Sequence, residues 1–282
     1  MFMCTCLSKR KEGISKSILV FFLVANPLLS PAQTQLAPGD VALLSYSADT
    51  SPISRYFDFV LLTDIAVGTP INFTDAGYFS GSLNTLNESM IRFIADTPLD
   101  AGTIIHWNSS INDSRFYKDP DDEFSGAFTL AGGGDSLIVY QGQADNPTFL
   151  FALNNTDNEA SDSQFALGNL SSGDSQLPNG LQLGTNALGT NASTSNGGRH
   201  QDNAAYIGPI ISGTKKELLL AISAVDNWAF DNSQSIISAQ LHSSIVVVAD
   251  NNNNNNKQWP HQQNQHLSNP NRIVLYNTPY PK

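Results

Sequence analysis

Apolar and polar positions alternate in short runs along most of this chain, and turn residues separate the runs. The pattern predicts strands over 41–48 (VALLSYSA), 56–63 (YFDFVLLT), 70–77 (PINFTDAG), 90–97 (MIRFIADT) and 103–110 (TIIHWNSS). Further strands are predicted over 126–131 (GAFTLA), 136–142 (SLIVYQG) and 148–154 (TFLFALN). In INFTD, Ile71 and Phe73 point one way and Asn72 and Thr74 the other. FVLLT is continuously apolar, as a central strand covered on both faces would be. Asp64 and Asp75 fall at predicted strand ends, where Asp favours turns.

Residues 155–212 are rich in Asn, Ser, Gly and Asp and read as long loops with two short strands. Residues 215–228 read as a helix, with Thr214 as its cap and Glu217 three residues on. One more strand is expected over 243–250. The Asn/Gln/His tract that follows is too polar to bury a core and is expected to form a disordered insert, 251–269. RIVLYN (272–277) reads as a final strand within 270–282. The fold class expected is all-β: an antiparallel sandwich, immunoglobulin-like or jelly-roll-like, with one short helix and long Asn/Ser/Gly-rich loops.

The N-terminus changes the picture of charge and compartment. Lys9, Arg10, Lys11 and Lys16 precede an apolar stretch, Ser17 to Leu29, and then the small residues Ser30 and Ala32. This is the pattern of a secretory signal peptide over residues 1–32, and the domain is expected over 33–250. A membrane anchor is disfavoured, because the run is short and contains Asn26 and Pro27. No other run approaches membrane length, so no membrane partner is expected after cleavage. Residues 33–282 keep ten basic and 24 acidic residues, a net charge of −14. So acidic a chain argues against nucleic acid as a partner. Cys4 and Cys6 leave with the signal, so a hydrophobic core must replace disulfides.

Candidate chemistry is sparse. Asp58, Asp64 and Asp75 are candidates for a glycosidase carboxylate pair, set against the common use of Asp in turns. Gly134-Asp135-Ser136-Leu137 matches an esterase signature, but the Asp-x-x-His element that would supply the base is absent, and a hairpin turn explains the glycines. None of the five histidines has zinc-site spacing with another. Calcium is the better metal case: Asp119, Asp121 and Asp122 form one cluster of oxygen ligands, Asp157 and Glu159 another. Tyr78, Phe79 and Trp107, near strand ends, could stack on sugars or pack in the core. Seven sequons begin at Asn72, Asn87, Asn108, Asn112, Asn154, Asn169 and Asn191; they would carry glycans if the source is a eukaryote, and Asn72 is expected to face outward. No catalytic residue is assigned.

Five segments occur in a telling order: LAPGDVALLSYSAD, FDFVLLTDIAVGTPINFTDAGY, LDAGTIIHW, FTLAGGGDSLIVYQGQADNPTFLFALN, and DNAAYIGP with GTKKELLLAISAVDNW. Together, over about residues 37–230, they resemble an uncharacterised secreted β-rich module of bacterial exported and surface proteins. Its pattern is similar to lamin-tail-type, immunoglobulin-like sandwiches. The asparagine tract departs from that pattern. The resemblance implies a secreted sandwich without catalytic residues, and it carries over no site. The function expected is therefore a secreted, non-enzymatic adhesion, matrix or carbohydrate-binding module. The alternatives are a hydrolase using the strand-end carboxylates and a calcium-dependent structural module.

Overall fold

The computed structural model of the protein describes residues 32–49, 54–120, 123–132, 135–155, 165, 175–190, 202–231 and 242–250. The chain divides into a unit ending at Val248 and a second, Ala249–Lys282, of which only Ala249 and Asp250 are described. The first unit is a β-sandwich. The signal segment, the Asn-rich tract and RIVLYN lie outside the described residues, apart from Ala32.

Five antiparallel strands make one sheet. β1 (Val41–Ser47) pairs with β2 (Tyr56–Leu61), and β2 pairs with β7 (Ile104–Asn108). On the other side β1 pairs with β12 (Asn203–Tyr206), and β12 with β14 (Trp228–Asp231). The second sheet has β3 (Pro70–Thr74) between β6 (Met90–Ile94) and β9 (Ser136–Gln143). β8 (Phe116–Tyr117) extends it beyond β6; β10 (Asn146–Asn154) and then β11 (Ala187–Gly189) extend it beyond β9. The β10–β11 pair is parallel. Two small two-stranded sheets complete the unit: β4 (Tyr78–Phe79) with β5 (Ser82–Leu83), and β13 (Ser212–Thr214) with β15 (Val246–Val248).

The alternation of β2 and β3 builds the core between the sheets. Phe57 and Phe59 of β2 meet Phe73 of β3 with ring centroids 4.6 and 4.7 Å apart. Phe59 also takes Phe93 of β6 edge-on at 5.5 Å, and Trp107 of β7 stacks on Phe57 at 5.1 Å. These offset and edge geometries are the favoured ones for aromatic pairs. Tyr56, Asp58 and Val60, on the opposite face of β2, are buried as well. The strand is therefore covered on both faces, as its apolar run implies.

The helix is shorter than its sequence pattern. α1 spans Lys215–Ile222, and a capping box between Thr214 and Glu217 starts it. It stops early because two downstream side chains take its last carbonyls. Asn227 Nδ2 donates to Ala221 O at 2.8 Å, and Trp228 Nε1 donates to Ile222 O at 2.6 Å. Trp228 is then free to open β14.

Segment 126–131 is not a strand, contrary to its pattern. Side chains satisfy its backbone instead of a ladder. Lys118 Nζ donates to Gly126 O (2.8 Å), and Arg55 Nε to Leu130 O (2.8 Å). Asp75 accepts from Thr129 N (2.6 Å), and Asp135 from Ala131 N (2.9 Å). A segment whose polar groups are met this way has no need of a neighbouring strand.

Candidate functional site

Three polar side chains lie in one row across the five-stranded sheet. Asp58 is directly opposite His106 of β7, and Ser45 of β1 is directly opposite Asp58. The register therefore makes neighbours, across three strands, of residues distant in the chain. Asp58 is only 4 % exposed. The Ser45 hydroxyl, itself fully buried, donates to Asp58 Oδ2, and His106 Nδ1 lies 2.6 Å from Asp58 Oδ1. An ionised carboxylate only accepts, so Nδ1 is the protonated nitrogen of this pair. That fixes the imidazole plane and leaves Nε2 free as an acceptor, or as a donor once the ring is charged.

His106 is 41 % exposed at its side chain and opens into a cavity of about 370 Å³. A register shift in the β1–β2 ladder, between Leu43 and Ser45, makes Leu44 the extra residue of a bulge, and Leu44 lines the cavity. Ile104, two residues before His106 on the same face of β7, lines it too. Tyr206 and His242 form a ring pair 5.5 Å apart, and Ser243 follows on the chain. The Tyr206 hydroxyl is committed to Ile210 O at 2.8 Å, so the residue offers the cavity chiefly its ring. His242 Nε2 is buried and has no hydrogen-bond partner among the described residues. Among the described residues neither Lys nor Arg lines the cavity. Beside it, burial pushes the Tyr56 phenol up to about 12, with Asp58 and Asp49 adding to the rise, so Tyr56 stays neutral.

The arrangement supplies an oriented imidazole, a second imidazole ring and the Ser243 side chain, framed by apolar and aromatic walls. It does not have the order of a hydrolytic triad. The Ser45 hydroxyl is spent on the carboxylate and not on the imidazole, so it cannot be activated by His106.

The three aspartates singled out in the sequence lie in different settings. Asp58 is mid-strand rather than at a strand end. Asp64 is exposed in the connection after β2 and accepts from Ala101 N at 2.8 Å. Asp75 is buried, accepts from Ser89 N (3.0 Å) and Thr129 N (2.6 Å), and burial pushes its carboxyl up to about 6. Ser136 of the esterase-like signature begins β9 and is 1 % exposed, which is no place for a nucleophile.

The aromatic candidates divide. Tyr78 and Trp107 are buried in the packing, Tyr78 edge-on to Phe149 at 5.2 Å, whereas Phe79 is exposed. Of the calcium candidates, Asp119 is paired with Arg92, and Asp121, Asp122, Asp157 and Glu159 lie outside the described residues. Among the described residues no three His, Cys, Asp or Glu side chains come together in a way that could hold a metal.

Asn72 does not face outward. It is 1 % exposed, its Nδ2 donates to Gly142 O (2.9 Å), and its Oδ1 accepts from Arg92 Nε (2.8 Å). A polar residue on the polar side of an alternating strand can still be enclosed when long side chains from the next strand fold over it. Asn154 is also buried. Asn87 and Asn112 are exposed and Asn108 is half-buried; Asn169 and Asn191 lie outside the described residues.

His106, Tyr206 and His242 were not marked by spacing. Pairing register positions His106 and Tyr206, His242 joins them from outside any strand by packing on Tyr206, and the one local signal was a lone charge, Asp58, within an apolar strand. Comparison with protein-family models, curated proteins and solved structures finds no match to this chain.

Proposed function

We propose that this is a secreted, non-enzymatic recognition module that holds a neutral carbohydrate in the cavity above Asp58 and His106. The observation that carries the reading is an oriented imidazole, His106, that opens with the rings of Tyr206 and His242 onto one cavity. The cavity volume is within the range of small-ligand pockets. A pyranose presents adjacent hydroxyls on one side and an apolar C–H face on the other, which suits the His106 imidazole, Ser243 and the ring of Tyr206. Among the described lining residues there is neither Lys nor Arg, which argues against a strongly anionic ligand. Secretion rests on the N-terminal pattern and fits the outer-surface role.

Isothermal titration of residues 33–282 with glucose, galactose, mannose and N-acetylglucosamine, and with their short β-linked oligomers, tests this. At least one series saturates at micromolar to millimolar concentration, and His106→Ala weakens it at least tenfold. No heat from any sugar, or binding indifferent to His106→Ala, overturns the proposal.

A hydrolase is the second reading, favoured by the Asp58–His106 pair, which is the base and orienting half of a catalytic triad. Turnover of ester or glycoside substrates that disappears in Asp58→Asn would replace the binding reading with this one.

A further inference from the structure

The residues just after the predicted signal peptide are a second unusual feature, separate from the cavity. Residues 34–36 belong to no strand, yet hydrogen bonds tie them to the second sheet and to the connection that leads into it. Thr34 N donates to Thr69 Oγ1, and Ala66 N donates to Thr34 Oγ1, both at 2.9 Å. Gln141 of β9 clamps the same segment: its Oε1 accepts from Leu36 N (2.8 Å), and its Nε2 donates to Thr34 O (3.0 Å). Leu36 itself joins the main core. Thr69 and Gln141 are both buried, and a buried polar group left without its partner is costly. The fold therefore requires the chain to be whole from Thr34 onward.

Gln33 stands one residue outside this anchorage. Gln33 and Ala32 are both exposed, so the junction between them lies outside the packed fold. Among the described residues none hydrogen-bonds to the Gln33 side chain. That side chain lies beside Gly68: a Cβ built on Gly68 would be 3.9 Å from Gln33 Cγ and from Gln33 Nε2, with no other atom within 4 Å. The space around the Gln33 amide is therefore open. Cleavage after Ala32 makes Gln33 the first residue of the mature chain. Its α-amine and its side-chain amide carbon are then close enough to close a five-membered ring, a reaction within one residue that needs no partner.

We infer that Gln33 is a modification site: once Ala32 is cut away, Gln33 cyclises to pyroglutamate and caps the mature chain. The neutral α-amine attacks Cδ of its own side chain. The N–Cδ bond forms, the Cδ–Nε2 bond breaks, one amine proton passes to the departing nitrogen, and ammonia leaves. Neither an oxidant nor a cofactor enters the balance. The ring removes the terminal positive charge. It leaves the Gln33 carbonyl and the Thr34 N–H untouched, so the contacts of Thr34 and Leu36 persist. It also denies an aminopeptidase the free amine from which it would trim toward Thr34. The inference rests on the secretion half of the proposed function and is independent of what the cavity binds.

Two preparations test it. In the first, the full chain is exported by a bacterial host and its N-terminal peptide is read by mass spectrometry. The peptide is expected to begin at Gln33, to lack one ammonia and to resist amine labelling, whereas Gln33→Ala keeps a free amine. In the second, residues 33–282 are released from a cleavable fusion that leaves Gln33 first, and loss of ammonia at about pH 8 is followed beside the synthetic peptide 33–39. The folded protein is expected to cyclise within about tenfold of the peptide's rate, because its terminus is exposed. An exported chain that starts at Gln33 and keeps its amine, or a folded protein more than about tenfold slower than the peptide, overturns the inference alone. An exported chain cut at another position also overturns it. A chain that keeps residues 1–32 overturns it together with the secretion reading.

Discussion

Replacing Asp58 by alanine removes the acceptor for two groups at once, and their settings differ. Ser45 is fully buried, so its hydroxyl is left with no water to turn to. An orphaned buried donor costs about 1–3 kcal/mol. His106 is 41 % exposed at its side chain, so its Nδ1–H finds solvent, and losing that contact costs only about 0.5–1 kcal/mol. The expected destabilisation is about 2–4 kcal/mol by urea denaturation of residues 33–282 at pH 7. Ser45→Ala alone costs about 1 kcal/mol, because Asp58 keeps its imidazole partner. In the double variant the orphaned hydroxyl is gone, so part of the loss returns and a coupling of about 1–2 kcal/mol appears. Additivity within about 0.5 kcal/mol, or an Asp58→Ala cost below about 0.5 kcal/mol, would refute the reasoning that the row is one hydrogen-bonded unit.

Other expectations follow from single contacts. Trp107→Ala should cost about 3–5 kcal/mol, since the indole stacks on Phe57 in the core; a fully stable variant with altered sugar binding would return Trp107 to the surface role. Gly102 has φ +92° and a Cβ there would lie 2.3 Å from Ile245 O, so Gly102→Ala should cost about 2 kcal/mol or more by the same denaturation assay. Thr214→Ala removes the side chain that caps α1 and should cost about 1 kcal/mol. Asp75 titrates at about 6 in the folded protein against 3.8 for a free aspartate side chain, so its contribution is present at low pH and fades as pH rises through 6. Global stability should fall by about 1 kcal/mol from pH 5 to pH 7 on this account, and Asp75→Asn should abolish that part of the fall.

The sandwich was legible because its strands carry period-two patterns and the turns between them carry Gly, Asn and Asp. Ile71 and Phe73 could be placed on one face from alternation alone, whereas the continuously apolar FVLLT said only that its strand is covered on both faces. The cavity was not legible, because it depends on register. Asp58 and His106 are 48 residues apart, and nothing local says that they are opposite each other. Leu44 reaches the cavity only through a bulge, which no composition marks. Segment 126–131 has the composition of a strand and fails to be one because Asp75, Asp135, Arg55 and Lys118, on other parts of the chain, claim its backbone. The helix end was obscured in the same way, since Asn227 and Trp228 fold back onto its last turn. Asn72 shows the limit of alternation: it separates the two faces of a strand but does not say which of them is open to water.

The most direct test of the central claim is long-range ¹H–¹⁵N NMR of the histidine side chains during titration with the best-binding sugar from the calorimetric series. His106 Nδ1 is expected to be protonated throughout, and the imidazole signals of His106 and His242 to move together and saturate with the calorimetric Kd. Sugar-dependent shifts confined to residues around Phe79, with both imidazoles unmoved, would contradict it.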